Sequence, residues 1–135
     1  MRKIIYSRPD GGVSVVSVPI DTDTAIAAAI AKLSLTASNV TTVDDSVIPT
    51  DRAFRNAWRQ NGASVRVDLP IARTLVEEDI ETRIRIKIRD VLEREALGEN
   101  VAQEKAALRS INARLLVDAA QTPEELKSIL PEVLK

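Results

Sequence analysis

Three arginines, Arg52, Arg55 and Arg59, flank Phe54 and Trp58 within the stretch Pro49–Gly62. Only three aromatic residues occur in the whole chain, and two of them lie here. Arg and Trp are the side chains that most often anchor a protein–protein contact, because each covers a large area and keeps a polar handle. The four-residue spacing of Phe54 and Trp58 predicts a helix that presents both rings on one face. Thr50 or Asp51 would cap that helix and Gly62 would stop it. Such a helix admits two roles. Its rings can fill the junction between an N-terminal unit and a helical region, or Trp58 and the arginines can form a binding hot spot, and the two roles are compatible. Arg52, Phe54, Arg55, Trp58 and Arg59 are therefore the candidate partner-binding residues.

The remaining reactive groups form no catalytic pattern. The densest carboxylate clusters are Asp44/Asp45 and Glu77/Glu78/Asp79. Paired carboxylates can serve hydrolysis or hold a divalent cation. Neither cluster is matched by a phosphate-binding glycine loop or a second motif. Glu77–Asp79 instead suits the first turns of a helix, where acidic side chains oppose the macrodipole. Asp10-Gly11-Gly12 lacks the Lys-Ser/Thr of a P-loop and reads as a hairpin turn. The chain has no His and no Cys, which removes the usual general base, thiol nucleophiles, disulfides and most zinc sites. No enzyme activity, cofactor or metal is expected.

With 135 residues, the chain is the length of one typical domain. Hydrophobic residues make up 44% and charged residues 29%. With aromatics at 2%, the core must be built mainly from Val, Ile, Leu and Ala. The net charge is −1, without the basic excess of a dedicated DNA-binding domain. Residues 1–67 carry eight Lys/Arg against six Asp/Glu, and residues 68–135 carry eleven against fourteen. The N-terminus has no apolar run of signal-peptide length, and Ala25–Ala31 is too short to span a bilayer. A soluble, intracellular protein is expected.

These groups must be positioned by an α+β chain. Lys3–Tyr6 and Val13–Val18 favour strands, and Arg8-Pro9-Asp10-Gly11-Gly12 between them signals a hairpin. Asp21-Thr22-Asp23-Thr24 supplies caps for a helix over Ala25–Leu35, whose small side chains allow close approach to a sheet. Val40–Ile48 reads as a third strand, and Ser64–Asp68 as a short extended piece. Within residues 71–97, Arg83-Ile84-Arg85-Ile86-Lys87-Ile88-Arg89 alternates at strand period. Val76, Ile80, Ile84 and Ile88 nevertheless step by four, with Val91 and Leu92 extending the stripe. Asp79–Arg83, Glu81–Arg85, Arg89–Glu93 and Asp90–Arg94 are opposite charges at i,i+4, so one long helix is predicted. As a helix, its basic residues would be divided between faces and neutralised by acidic neighbours. As a strand, they would form a row able to track a phosphate backbone, although no aromatic is interleaved to stack on bases. Gly98 breaks the helix. Asn100 starts a second over Val101–Val117, giving a long antiparallel helical hairpin. Thr122-Pro123-Glu124-Glu125 opens a last helix with Leu126, Ile129 and Leu130 on its apolar side and Pro131 at its end. The expected organisation is an N-terminal β-hairpin–helix–strand unit, residues 1–62, followed by a helical region, residues 63–135.

Four blocks carry a resemblance: Lys3–Val15, Val47–Trp58, Val67–Arg73 and Ala119–Lys127. In this order they resemble a group of small proteins from tailed bacteriophages and prophages. The Asp51-Arg52-Ala53-Phe54-Arg55-Asn56-Ala57-Trp58 block is the most specific of them, and the alternating Arg-Ile stretch at 83–89 departs from the pattern. The resemblance implies a non-enzymatic role in the virion or its assembly, in the host cytoplasm or the particle. It implies other phage proteins as partners and carries over no catalytic residue. A homo-oligomer is expected, with an apolar seam of the helical hairpin completed by a second copy, and neither nucleic acid nor membrane is expected as a partner. The alternative is a small regulatory protein that uses its arginines on nucleic acid or a host protein.

Overall fold

The two N-terminal β-favouring runs pair as expected. In the computed structural model, which describes residues 1–135, β1 (Arg2–Ser7) and β2 (Val13–Ser17) form an antiparallel hairpin. Its turn is closed by Gly11 N–H donating to Arg8 O and Arg8 N–H donating to Gly12 O. Gly11 has φ +87°, a conformation that only glycine adopts without strain. β3 (Ser38–Asp44) adds to the other edge of β1, giving the order β2-β1-β3. β3 starts and ends earlier than the sequence indicated. Asp44 accepts from the Ser46 amide and turns the chain into a 3-10 segment, Asp45–Val47.

Both faces of this sheet are covered, as the valines on both sides of β2 require. On one face Ile4 and Val18 pack with Ile26 of α1 (Asp23–Leu33), joined by Val16, Val40 and the α1 residues Ala29, Ile30 and Leu33. Thr22 caps α1, its hydroxyl accepting from the Ala25 amide at 3.2 Å. On the opposite face Ile5, Val13 and Val43 pack with Ile48 and Trp58.

The segment expected to be the Phe54/Trp58 helix is not one. Only Arg55–Ala57 forms a 3-10 turn, and the chain then enters β4 (Trp58–Asn61), which pairs with β5 (Ser64–Val67). The overlooked signal is Asn61-Gly62. Gly62 takes φ +60° at the first loop position between paired Asn61 and Ser64, the glycine placement of a type II′ hairpin. Pairing with β5 places Trp58 against the first sheet. The first unit accordingly ends at Asp68, not Gly62, because β5 belongs with β4: the chain divides into Met1–Asp68 and Leu69–Lys135.

The second unit is helical. α2 (Leu69–Ala96) runs unbroken through the alternating stretch. Ala72, Ile80 and Val91 are fully buried and Val76, Ile84 and Ile88 half-buried, so the four-step stripe wins over the two-step alternation and Ile86 is left exposed. Asp79–Arg83 and Asp90–Arg94 form as i,i+4 pairs, while Arg85 donates to the Thr82 hydroxyl instead of reaching Glu81. α2 ends at Gly98 (φ +94°), where the Gly98 and Glu99 amides donate to Glu95 and Arg94 carbonyls. These are the two bonds of a Schellman cap.

The return leg is broken, against the expectation of one helix over Val101–Val117. α3 (Ala102–Ser110) and α4 (Ala113–Ala119) are separated at Ile111-Asn112. Asn112 accepts from the Leu115 amide and caps α4, while the Ser110 hydroxyl donates to Ala107 O and finishes α3. Side chains of this kind compete with the helix ladder. The legs are antiparallel: Arg94–Glu104 and Lys105–Glu95 pair near the turn, and Arg73 donates to Ala120 O at the far end. α5 (Pro123–Lys127) is capped by Thr122 as expected, but stops before Ile129 and Leu130 because the Ser128 hydroxyl caps the Glu125 carbonyl.

Candidate interaction site

Trp58 opens β4 with its side chain fully buried among Ile5, Val13, Val43 and Ile48. Its indole Nε1–H has no hydrogen-bond acceptor, so the ring is held by packing alone. Phe54 is also buried. Of the five candidate residues the two rings are thus core, and an exposed Trp58 hot spot is not what this unit presents. The arginines separate from the rings: Arg52 and Arg55 are exposed, and Arg59 is half-buried. Arg59 leaves the ring beside it because residues alternate sides in a strand, so Trp58 faces the sheet while Arg59 faces away; Arg52 and Arg55 precede the strand.

Arg59 is held in place. Its Nη1 donates to Trp58 O at 2.7 Å and to Asn56 O at 3.4 Å, and its Nε lies where a Cβ on Gly11 would be 3.4 Å away. The second glycine of the β1–β2 turn is covered likewise by Arg8: a Cβ on Gly12 would collide with Arg8 Nη2. Two guanidiniums therefore lie on the glycine backbone of one turn. Together with Asp10 and Asn56 they line a cleft of about 140 Å³. Asp10 is tied to the turn by accepting from the Gly12 amide at 2.8 Å, and lies 3.4 Å from Arg8 Nε. The sequence does not single out Arg8, Asp10 or Asn56: the Arg-Pro-Asp-Gly-Gly motif reads as a turn, and nothing local in it shows that Arg59, far along the chain, meets it.

Other polar groups serve structure. Gln60 stitches β4 to the first sheet, accepting from the Ser7 hydroxyl and donating to Asn39 O. Asn39 takes φ +56° where the β1–β3 register shifts, a bulge position. Arg2 binds Asp21 and Asp23 at 2.8 and 2.7 Å. Its side chain and amide hold the Asp21 carboxyl below the ordinary aspartate range. Asp44 is lowered by its bond from the Ser46 amide.

In the helical unit the four basic residues at 83–89 are split between two faces of α2, because a helix places 83 with 87 and 85 with 89. Several large apolar residues remain uncovered there: Ile86, Leu92, Leu97 and Leu115 are exposed. Leu115 lies at a groove of about 350 Å³, lined also by Ile111, Leu116, Ala119 and Pro131. A more polar cleft of about 290 Å³ lies between α2 and α4, where Arg73 and Glu77 face Arg114 and Asp118. The last two form an ion pair.

No group of three or more His, Cys, Asp or Glu side chains converges as metal ligands would, the Asp44/Asp45 and Glu77–Asp79 clusters included. No helix is long and apolar enough to cross a membrane. The molecule is thus an α+β protein, with a strand-rich N-terminal unit and a long helix in the second. Comparison with known proteins found no matching family, no matching curated protein and no matching solved structure.

Proposed function

We propose that the chain is a non-enzymatic structural or assembly protein that acts through protein–protein contacts, with a second copy or another virion component as partner. The observation that carries this reading is the apolar surface of the helical unit. Isolated exposed leucines are ordinary on any protein. Here Leu115 stands 67% exposed on a groove whose other walls include Ile111, Leu116, Ala119 and Pro131, and a contiguous apolar surface of that kind favours association. The resemblance of the Val47–Trp58 block and its companions to small tailed-phage proteins supplies the setting, virion assembly.

Size exclusion with light scattering, over a range of protein and salt concentrations, tests the reading. A discrete oligomer that survives high salt is expected, since apolar burial is not screened. A monomer at every concentration that also captures no component from phage-infected cells overturns it.

A further inference from the structure

We propose that the cleft formed by Arg8, Asp10, Asn56 and Arg59 is an anion-recognition site that takes a carboxylate side chain of an acidic protein partner. The inference rests on the protein–protein reading above and adds the chemistry of one contact.

The cleft has the parts such a site needs. Arginine presents donors in a planar fork that matches a carboxylate, and two of them meet here across a turn. Arg59 spends Nη1 on two backbone carbonyls, which fixes the guanidinium and leaves the rest of its fork unengaged. Arg8 Nε is buried and has no hydrogen-bond partner. Asp10 is within ion-pair distance of that atom but is bonded to the Gly12 amide. An arginine donor removed from water and held 3.4 Å from its carboxylate, longer than a good hydrogen bond, gains from an acceptor that reaches it directly. The glycines complete the site, since any side chain at Gly12 would displace the Arg8 guanidinium.

Charge argues for an anion and for its kind. Arg59 stands directly opposite Arg66 in the β4–β5 ladder, a like-charge cross-strand pair that is unfavourable by itself and is relieved by an anion. Arg52 and Arg55, both exposed, precede it on the same segment. The lining itself holds two guanidiniums and one carboxylate, a net charge of +1. That balance suits a monoanionic carboxylate, while Asp10 opposes the second charge of a phosphate. A volume of about 140 Å³ admits a side-chain terminus and not a large ligand.

Nuclear magnetic resonance of the full chain tests this directly. The chain has four glycines: Gly11 and Gly12 report on the cleft, while Gly62 and Gly98 serve as internal controls. The probes are an acetylated tetraglutamate peptide and, separately, inorganic phosphate, at matched ionic strength. The peptide is expected to shift the Gly11 and Gly12 amides saturably and to leave Gly98 unmoved. Arg59→Gln should weaken that binding by about tenfold or more, the scale of a lost charge-assisted fork. Gly12→Ala should weaken it similarly, because it keeps every charge and moves only Arg8. Should Arg59→Gln fail to fold, Gly12→Ala carries the test alone. Arg109→Gln, in the helical unit, should have no effect.

No saturable shift at Gly11 and Gly12, or equal weakening by Arg109→Gln, overturns the site. Phosphate binding at least as tightly as the peptide overturns the carboxylate assignment. Light scattering on the same samples separates this proposal from the one it rests on. Peptide binding in a protein that remains monomeric and partnerless keeps the cleft and removes the assembly reading. A stable oligomer whose cleft ignores the peptide does the reverse.

Discussion

At the scale of single residues, Trp58 does the most to organise the first unit. It fills one face of the three-stranded sheet with no exposed surface, so Trp58→Ala should cost about 3–5 kcal/mol by transfer and cavity terms together. Because its Nε1–H has no acceptor, Trp58→Phe removes volume but no hydrogen bond and should cost clearly less. Urea melts of both variants check the order. A melt of Trp58→Ala superimposed on wild type would show that the ring is not core. Asp21 is a residue-scale test of a different force. Its folded pKa is depressed, first by the Arg2 side chain and then by the Arg2 amide. A carboxylate of this kind stabilises the fold above its unfolded pKa, and that stabilisation is lost as the pH falls through the depressed folded value. Asp21→Asn should therefore lower stability at neutral pH and flatten the acid limb, with the two proteins converging below the ordinary aspartate range of about 4. Denaturation midpoints from pH 7 to pH 2 measure this.

At the scale of elements, the helical unit is governed by its stop signals. Asn112 caps the return leg's second helix just after Ser110 finishes the first. Substituting an N-cap Asn by Ala typically costs about 1 kcal/mol, and Asn112→Ala should lose that much. It should also raise helix content by circular dichroism if α3 and α4 fuse. Unchanged content together with unchanged stability would mean that packing, not the cap, sets the break. Gly98 makes a second test. Its φ of +94° strains any residue with a Cβ, although nothing lies near enough to clash. Gly98→Ala should thus cost about 1 kcal/mol through backbone strain alone, readable in the same melts. The β4–β5 hairpin obeys the same logic in the first unit, where Gly62 and the bonds of Gln60 hold the ladder against the sheet.

At the scale of the whole molecule, each of the two units has residues of its own at its centre: Ile4, Ile5 and Trp58 in one, Ile80, Val91, Leu108 and Val117 in the other. What the cores leave outside is the material for association. Leu115→Ser removes apolar surface from the α4 groove without touching a buried contact. It should change folding stability by no more than about 0.5 kcal/mol, as ordinary surface substitutions do, while weakening self-association measurably by light scattering. Loss of stability in parallel with loss of association would instead place Leu115 in the fold's own packing.

The sequence by itself determined the α+β class, the first hairpin and its turn, the capping segment before α1, the long α2 and the glycine that stops it. Each of these is written in local chemistry: a period, a cap, or a residue that alone tolerates φ > 0. Tertiary structure decided the rest. The spacing of Phe54 and Trp58 satisfies a helix as well as it satisfies a ring buried in β4, and only the sheet face opened by Ile5, Val13 and Val43 selects the strand. The unit boundary moved to Asp68 for the same reason, since β5 has no partner until β4 exists. The Arg8–Arg59 cleft was legible in neither of its halves. A turn motif and an arginine some fifty positions later line one cleft only when the packing of Trp58 on the first sheet brings them together, and no pattern within either segment encodes that distance.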